Sequence, residues 1–392
     1  MRSLIKIQTK PGQRILLRSD FDVPLKKTEV FDEFRLKAAL PTIKFLLKKK
    51  ARLIIISHLG RPGGKIVEKL RFDPVARWLS KNLGVKVIKL NKIAHCSLQP
   101  GQILLLENLR FYQSEENNNP NFAKKLASLA EIFVNDAFAV CHRNHSSIVG
   151  IPQYLPSFAG LRLEKEIKSL KKALKAKKDL VVILGGAKTE TKIPVIRSLI
   201  ELGAVVLLGG IVANTFLAAF LGEDKVDGHA VDKKRLCLAK EFLEKLDSPV
   251  SFAQIPGQTT KIWLPLDVVI GFPIKEVSFF PNGEFVPEGK TVFDIGQRTI
   301  REYTGLLHFA KAIIINGPLG KIEEEKFSQG TKKVLQAVAD SPAFSIVGGG
   351  ETIAVLEKYK LSDKIDLVST GGGAMLEFIS KGSLPGIEAL EK

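Results

Sequence analysis

The chain has 392 residues, more than one ordinary hydrophobic core accommodates, and at roughly 150 residues per domain two domains are expected. Hydrophobic residues make up 45% and charged residues 26%, with 32 Gly and 19 Pro, a balance that excludes disordered, collagenous and coiled-coil chains. Lys and Arg number 59 against 41 Asp and Glu, and the net charge of +18 makes an anion a natural partner.

The amino terminus, MRSLIKIQTKPGQR, carries its charges too early and lacks the apolar stretch of a secretory signal. The first half then reads as short apolar runs ending in polar residues: ILLRSD, LIIISHLG, ILLLENLR and IFVNDAF. The second half continues with LVVILGG, AVVLLGG, VVIG, AIIINGP, FSIVGGG and LVSTGGG. Runs this apolar, each followed by a helix-length segment, predict βαβ units whose parallel strands are buried on both faces. The expected fold is therefore α/β with two lobes, each a parallel sheet flanked by helices in a Rossmann-like manner.

The stretch Glu164 to Lys178 carries seven lysines against two glutamates, and the segment from about Gly160 to Lys178 repeats apolar residues at Leu161, Ile167, Leu170 and Leu174. It is read as an interdomain helix over 161–178 with a solvated lysine face, attraction for anions being secondary. The expected division is a first domain over 1–160 and a second over 179–379. The longest charge-free run, Ala204 to Gly222, approaches membrane-span length. Gly209-Gly210, Asn214 and Thr215 interrupt it, so a buried strand, a glycine turn and a packed helix are expected instead. Cys96, Cys141 and Cys237 stand far apart, without disulfide or zinc spacing, which suits a cytoplasmic location.

The two halves differ in the residues placed after their strands. In the first half five arginines (Arg18, Arg35, Arg61, Arg110, Arg143) and three histidines (His58, His142, His145) gather at or near strand ends, with Asp20 and Asp22. Guanidinium groups take carboxylate and phosphate bidentately, so the set suits a small, multiply charged anion. The competing reading, that each Arg caps a helix or pairs with a surface carboxylate, weakens when all of them come after apolar strands. In the second half the strand ends carry glycine: Gly185-Gly186, Gly209-Gly210, Gly317, Gly348 to Gly350 and Gly371 to Gly373. Consecutive backbone N–H groups at a helix start favour phosphate, although neither a Walker A nor a G-x-G-x-x-G motif is present. Lys188 and Lys192, four residues apart, are expected over one face of a starting helix, where they would repel unless an anion lies beside them. Glu323 and Glu351 are candidates for ribose and magnesium binding. His95, His229 and His308 are taken as structural or surface residues. A nucleic-acid-binding role finds little support, because aromatic residues are only 7% and do not interleave with the lysines.

Taken together, RSDFDVPL, EFRLKAALPTI, SHLGRP, LLLENLRF, FVNDAFAVCHRNHSSIVG, ILGGAKTETKI, NGPLGKIE, FSIVGGGET, STGGGAMLEF and LPGIEAL resemble the phosphoglycerate kinase family in order and spacing over essentially the whole chain. The resemblance implies two lobes joined by a helix with a hinge cleft, the tail 380–392 returning to the first lobe, and a monomer. It implies magnesium-dependent, direct in-line phosphoryl transfer between 1,3-bisphosphoglycerate and ADP, giving 3-phosphoglycerate and ATP. Carried over motif by motif, the 3-phosphoglycerate site would be Asp20, Asp22, Arg35, His58, Arg61, Arg110 and Arg143. The nucleotide site would be Lys192, Asn316, Glu323, Gly349, Gly350, Glu351 and Thr352, with Glu351 as metal ligand. Arg35 and Lys188 would meet the transferring phosphoryl group. Five positions depart from the family pattern: Asp22 for Asn, Ile211 for Gly, Gln297 for Pro, Ile315 for Trp and Glu351 for Asp. Another acyl-phosphate kinase, acting on acetate, is the rival, but five arginines exceed what an acetyl group needs. Membranes and nucleic acids are not expected as partners.

Overall fold

The computed structural model describes residues 2–26, 29–94, 97–226, 231–246, 250–251, 261–280 and 282–391. Two compact units divide the chain: Met1–Lys168 with Lys381–Lys392, and Ser169–Ser380. The boundary falls inside one helix, Leu161–Leu174, whose lysines are exposed.

The first unit is built on six parallel strands, β1 (Arg14–Arg18), β2 (Arg52–Ile56), β3 (Val87–Leu90), β4 (Ile103–Leu106), β5 (Ile132–Asn135) and β6 (Ser157–Ala159). They lie in the order β3-β4-β2-β1-β5-β6. Leu16, Leu17, Ile55, Leu105 and Val134 are almost wholly buried, which is why these strands are apolar without alternation. Each such side chain removed from water contributes about 1.5–3 kcal/mol. Strand β1 sits where the order reverses, between β2 and β5, so the space beyond its carboxyl end is the natural crevice of this sheet.

The second unit repeats the arrangement with β7 (Leu180–Leu184), β8 (Val205–Leu208), β9 (Val250–Ser251) and β10 (Ile262–Trp263), and adds a small antiparallel sheet. That sheet is formed by β11 (Asp267–Ile270), β12 (Lys275–Ser278) and β13 (Val292–Ile295), with β11 in the middle. The parallel sheet resumes with β14 (Ala312–Asn316), β15 (Phe344–Gly348) and β16 (Leu367–Val368). Its order is β9-β10-β8-β7-β14-β15-β16, so β7 occupies the reversal point that β1 occupies in the first unit.

The run VVIG, expected as a parallel strand, is β11 of the antiparallel sheet. Four residues, Gly271 to Ile274, separate it from β12, and a parallel crossover needs about a dozen. The charge-free run resolves into β8, the turn at Gly209 and the helix Gly210–Leu221, which buries Asn214 and Thr215 among Val212, Phe216 and Leu217. No helix among the described residues is long and apolar enough to cross a membrane. Cys141 is buried, Cys237 is exposed, and both are free thiols. His308 is exposed and its Nδ1 lies 3.0 Å from the Thr304 carbonyl oxygen. Cys96, His95 and His229 lie outside the described residues.

Candidate active site

Beyond the end of β1 the chain turns sharply, because the Ser57 hydroxyl accepts the Phe21 N–H at 2.9 Å and donates to the Ser19 carbonyl at 2.8 Å. This turn presents Asp20 and Asp22. Arg35, the second residue of the helix Phe34–Lys48, reaches both: its Nη1 lies 3.2 Å from Asp20 Oδ2 and 3.6 Å from Asp22 Oδ2. The two carboxylates raise the pKa of the guanidinium, whereas burial raises that of Asp20 against the pull of Arg35. Asp22 accepts the Gly60 N–H at 2.8 Å, tying the loop after β2 to the same place.

His58 sits at the end of β2, 2% exposed, with Nε2 3.8 Å from Asp22 Oδ2. Burial first, then Arg18, Arg110 and Arg35, hold its pKa well below the ordinary histidine value, so the ring is neutral. Arg110 lies after β4 in a short 3-10 turn; its Nη1 donates to the Gly60 carbonyl at 2.8 Å and its Nε lies 3.2 Å from Glu116 Oε1. Arg61 and Arg143 are exposed, in the loops after β2 and β5. Asp20, Asp22, Arg35, His58 and Arg110 are thus brought into one interacting set, and Arg61 and Arg143 flank it as exposed charges near Arg110 and His145. Asp22, one of the departures from the family pattern, pairs with Arg35, while Arg18 faces His58.

In the second unit four helices begin at the carboxyl edge of one sheet: Thr189–Leu202 after β7, Gly210–Leu221 after β8, Gly350–Lys358 after β15 and Gly372–Lys381 after β16. Their partial positive ends make this edge attractive to an anion. The turns are tied together by side chains. Thr352 Oγ1 accepts the Gly317 N–H at 3.0 Å, and Asn316 Nδ2 donates to the Gly372 carbonyl at 3.3 Å. Gly349 caps its helix at φ +94°, a left-handed conformation that a side chain would strain. Gly372 packs so closely on Gly349 that a Cβ would come within 2.9 Å of its backbone.

Lys188 and Lys192 do not share a helix face. Lys188 is the N-cap residue, with non-helical backbone and an exposed side chain, while Lys192 lies inside the first turn and is 5% exposed. The four-residue spacing assumed a helix that had already started, and it starts one residue too late. Burial, countered by Glu351 and Glu190, pulls the Lys192 pKa down to about 8.

A cavity of about 360 Å³ opens beside these turns. Its wall is apolar along Pro265, Val268, Val292, Phe293, Leu319 and Ile322, and polar where Asn214, Glu323 and Glu351 border it. Much of that wall comes from the antiparallel sheet, of which the sequence showed only the run VVIG, and that as a parallel strand. Missed as well were Glu115 and Ser147, buried behind the first cluster; an isolated Glu and Ser in loop-like sequence carry no signal of a shared interior.

Among the described residues no three His, Cys, Asp or Glu side chains are grouped to cage a metal. Magnesium keeps several waters and is commonly held by one or two carboxylates together with substrate phosphates. Glu351, exposed in the first turn of its helix and bordering the cavity, is such a carboxylate, so the donor chemistry fits.

A family profile described as phosphoglycerate kinase matches residues 5–382. The phosphoglycerate kinase of Moorella thermoacetica is 44% identical over 394 residues, covering 97% of this chain and 96% of that protein. The phosphoglycerate kinase of Borrelia garinii subsp. bavariensis is 43% identical, covering 97% of each. The solved phosphoglycerate kinase of Coxiella burnetii superposes with a TM-score of 0.84 at 37% identity, over 99% of this chain and 98% of that one. That of Pyrococcus horikoshii gives 0.86 at 33% identity, over 100% and 98%. A profile match over nearly the whole length, near-complete coverage by relatives and two solved structures of the same architecture agree: this chain belongs to the phosphoglycerate kinase family, a family of glycolytic transferases.

Proposed function

We propose that the protein catalyses magnesium-dependent, reversible transfer of a phosphoryl group between 1,3-bisphosphoglycerate and ADP, giving 3-phosphoglycerate and ATP. The observation that carries this reading is the Lys192 ammonium, buried at a helix start beside Gly186 and within the field of Glu351, two residues that border a largely apolar cavity together with Glu323. A flat, apolar base suits the cavity, and phosphates suit the amides and the cation. In this reading Lys192, Asn316, Glu323 and the segment Gly349, Gly350, Glu351, Thr352 hold the nucleotide, and Glu351 ligates magnesium. Magnesium when bound supplies charge neutralisation to the nucleotide phosphates.

The acceptor is 3-phosphoglycerate, held by Asp20, Asp22, Arg35, His58, Arg61, Arg110 and Arg143. The carboxylates of Asp20 and Asp22 keep the Arg35 guanidinium oriented. Arg61, Arg110 and Arg143 supply charge for the phosphate, and neutral His58 supplies a hydrogen-bond donor. No general base is needed, because the attacking carboxylate is already ionised. The transition state spreads charge over three equatorial oxygens, so positioning and electrostatics carry the catalysis. Arg35 from one unit and Lys188 from the other meet that charge. Reacting atoms must approach to about 3 to 3.5 Å, so turnover requires hinge closure of the two units through the helix that joins them. A monomeric, cytoplasmic enzyme belongs to the same reading.

A coupled assay with 3-phosphoglycerate, ATP and magnesium tests it. Wild-type protein turns over, and Arg35→Ala loses at least about 100-fold in kcat, the usual result of removing one transition-state charge partner. Turnover of acetate without turnover of 3-phosphoglycerate would sink the substrate assignment.

A further inference from the structure

Arg18, the last residue of β1, is completely buried, and no surface role accounts for it. Its guanidinium makes four contacts, the longest from Nη1 to Ser57 Oγ at 3.5 Å. Nε donates to Ser147 Oγ at 2.9 Å, Nη1 donates to the Ser19 carbonyl at 2.6 Å, and Nη2 lies 3.2 Å from His58 Nδ1. A guanidinium has five donors and no acceptor. The Arg18–His58 contact therefore has one possible direction: Arg18 donates and Nδ1 accepts. The Nδ1 lone pair must be free, so the single ring proton of neutral His58 resides on Nε2.

The guanidinium is itself held from behind. Because Ser147 Oγ accepts from Arg18, its hydroxyl proton is directed onward to Glu115 Oε1 at 2.5 Å, and the Ser147 N–H donates to Glu115 Oε2 at 3.0 Å. Glu115 is fully buried and is the largest charge favouring ionised Arg18, ahead of Asp20. A buried, unpaired guanidinium would be strongly destabilising, so Glu115 makes Arg18 tolerable at this position. Donation runs outward from Arg18 in both directions: through Ser147 to Glu115 in the interior of the first unit, and to His58 beside the cluster of Asp20, Asp22 and Arg35.

We propose that Arg18, anchored by Ser147 and Glu115, is a positioning residue that locks His58 as its Nε2–H tautomer, so that His58 presents an uncharged hydrogen-bond donor to the anionic acceptor substrate. The destination of that hydrogen bond rests on the assignment of 3-phosphoglycerate to the first unit; the tautomer does not. The charges acting on the ring are Arg18, Arg110, Arg35 and His145, with Asp22 3.8 Å from Nε2. An imidazolium here would add repulsion among these arginines, and an Nδ1–H ring would set donor against donor. The lock removes both alternatives.

Nitrogen-15 spectra of the histidine rings in the full-length, substrate-free protein test the lock directly, with His58 assigned by comparison with His58→Gln. The expected wild-type spectrum has a protonated Nε2 and an unprotonated Nδ1, unchanged from pH 5.5 to 8. Arg18→Met, which keeps bulk and removes the donors, is expected to give a mixed or titrating ring. Ser147→Ala is expected to raise KM for 3-phosphoglycerate about fivefold, the effect of one lost hydrogen bond, by more than it lowers kcat and without moving KM for ATP, and Ser147→Thr is expected to restore it. If Arg18→Met does not fold, the wild-type spectrum and the Ser147 pair decide alone. An Nδ1–H ring in the wild type, a ring that titrates between pH 5.5 and 8, or an Arg18→Met spectrum identical to wild type overturns the proposal. A locked Nε2–H ring in a protein that does not turn over 3-phosphoglycerate overturns the substrate assignment and the destination of the hydrogen bond, and leaves the tautomer standing.

Discussion

The two units place their candidate sites at the same topological position and furnish them with opposite materials. Strands β1 and β7 both lie where the strand order of their sheet reverses. Beyond β1 the crevice is furnished by side chains: two carboxylates, guanidinium groups and a buried imidazole held in mutual contact. Beyond β7 it is furnished by backbone: glycine turns and four helix starts, with Lys192 as the buried cation. Side-chain sites depend on the identity and geometry of particular groups, whereas backbone sites depend on φ and ψ. Substitutions should therefore damage the two units through different physics.

The most severe test is charge-conserving. Arg35→Lys keeps the positive charge and loses the planar fork that spans Asp20 and Asp22, and kcat/KM for 3-phosphoglycerate should drop about 50-fold. Retention of most activity in steady-state assays would show that charge alone suffices and would erase the contrast between the units. In the backbone site the corresponding substitution is Gly349→Ala. There is room for the methyl group, since the nearest atom, the Gly317 N, is 3.4 Å away, so the damage arises from φ +94°. At about 1–2 kcal/mol of strain the expected rise in KM for ATP is about five- to thirtyfold, with KM for 3-phosphoglycerate unchanged.

Lys192 is where the second unit uses a side chain, and its effect should depend on pH. With a pKa of about 8 in the free protein, its positive charge is present below that value and lost above it. ADP affinity measured calorimetrically should therefore fall about tenfold between pH 7 and 9, and Lys192→Arg, which keeps its charge, should remain nearly flat. A wild-type affinity independent of pH would remove Lys192 from the phosphate contacts.

A test of the first unit's stability concerns Asp136, just after β5, which accepts the N–H groups of Arg162 at 2.8 Å and Leu163 at 3.2 Å at the start of the joining helix. Burial pushes its pKa from the ordinary 3.8 up to about 7. Between those values the folded protein retains a proton that the unfolded chain has released, so this group's contribution falls as pH rises through that window. Asp136→Asn does not titrate. Relative to wild type its stability should improve by about 2 kcal/mol from pH 5 to 8 in urea denaturation, and equal slopes for the two proteins would show that Asp136 is ionised in the fold.

Much of this was legible in the residues themselves. Strands buried on both faces must be continuously apolar, so β1, β2, β4, β5, β7, β8, β14 and β15 announced themselves. The runs VVIG and LVSTGGG also marked β11 and β16, whereas the two-residue β9 and β10, and a strand carrying lysine such as Val87–Leu90, did not stand out. The first cluster was recognisable because arginine and histidine are conspicuous wherever they come after an apolar run. Glu115 and Ser147 were not, because nothing local distinguishes a buried relay from a loop. Lys188 and Lys192 were read as neighbours on a helix, and only the position of the helix start separates the exposed one from the buried one.

Composition, apolar runs and glycine positions therefore determined by themselves that the chain is α/β, that its strands are buried on both faces and that anions suit the ends of those strands. These are local properties, written in residues close together along the chain. The tertiary structure alone decided which cation meets Asp22, that Glu115 and Ser147 stand behind Arg18, and that an antiparallel sheet walls the cavity. Each of these brings together groups far apart in sequence, and only long-range packing, with the desolvation that accompanies it, establishes which of them touch and which proton each one holds.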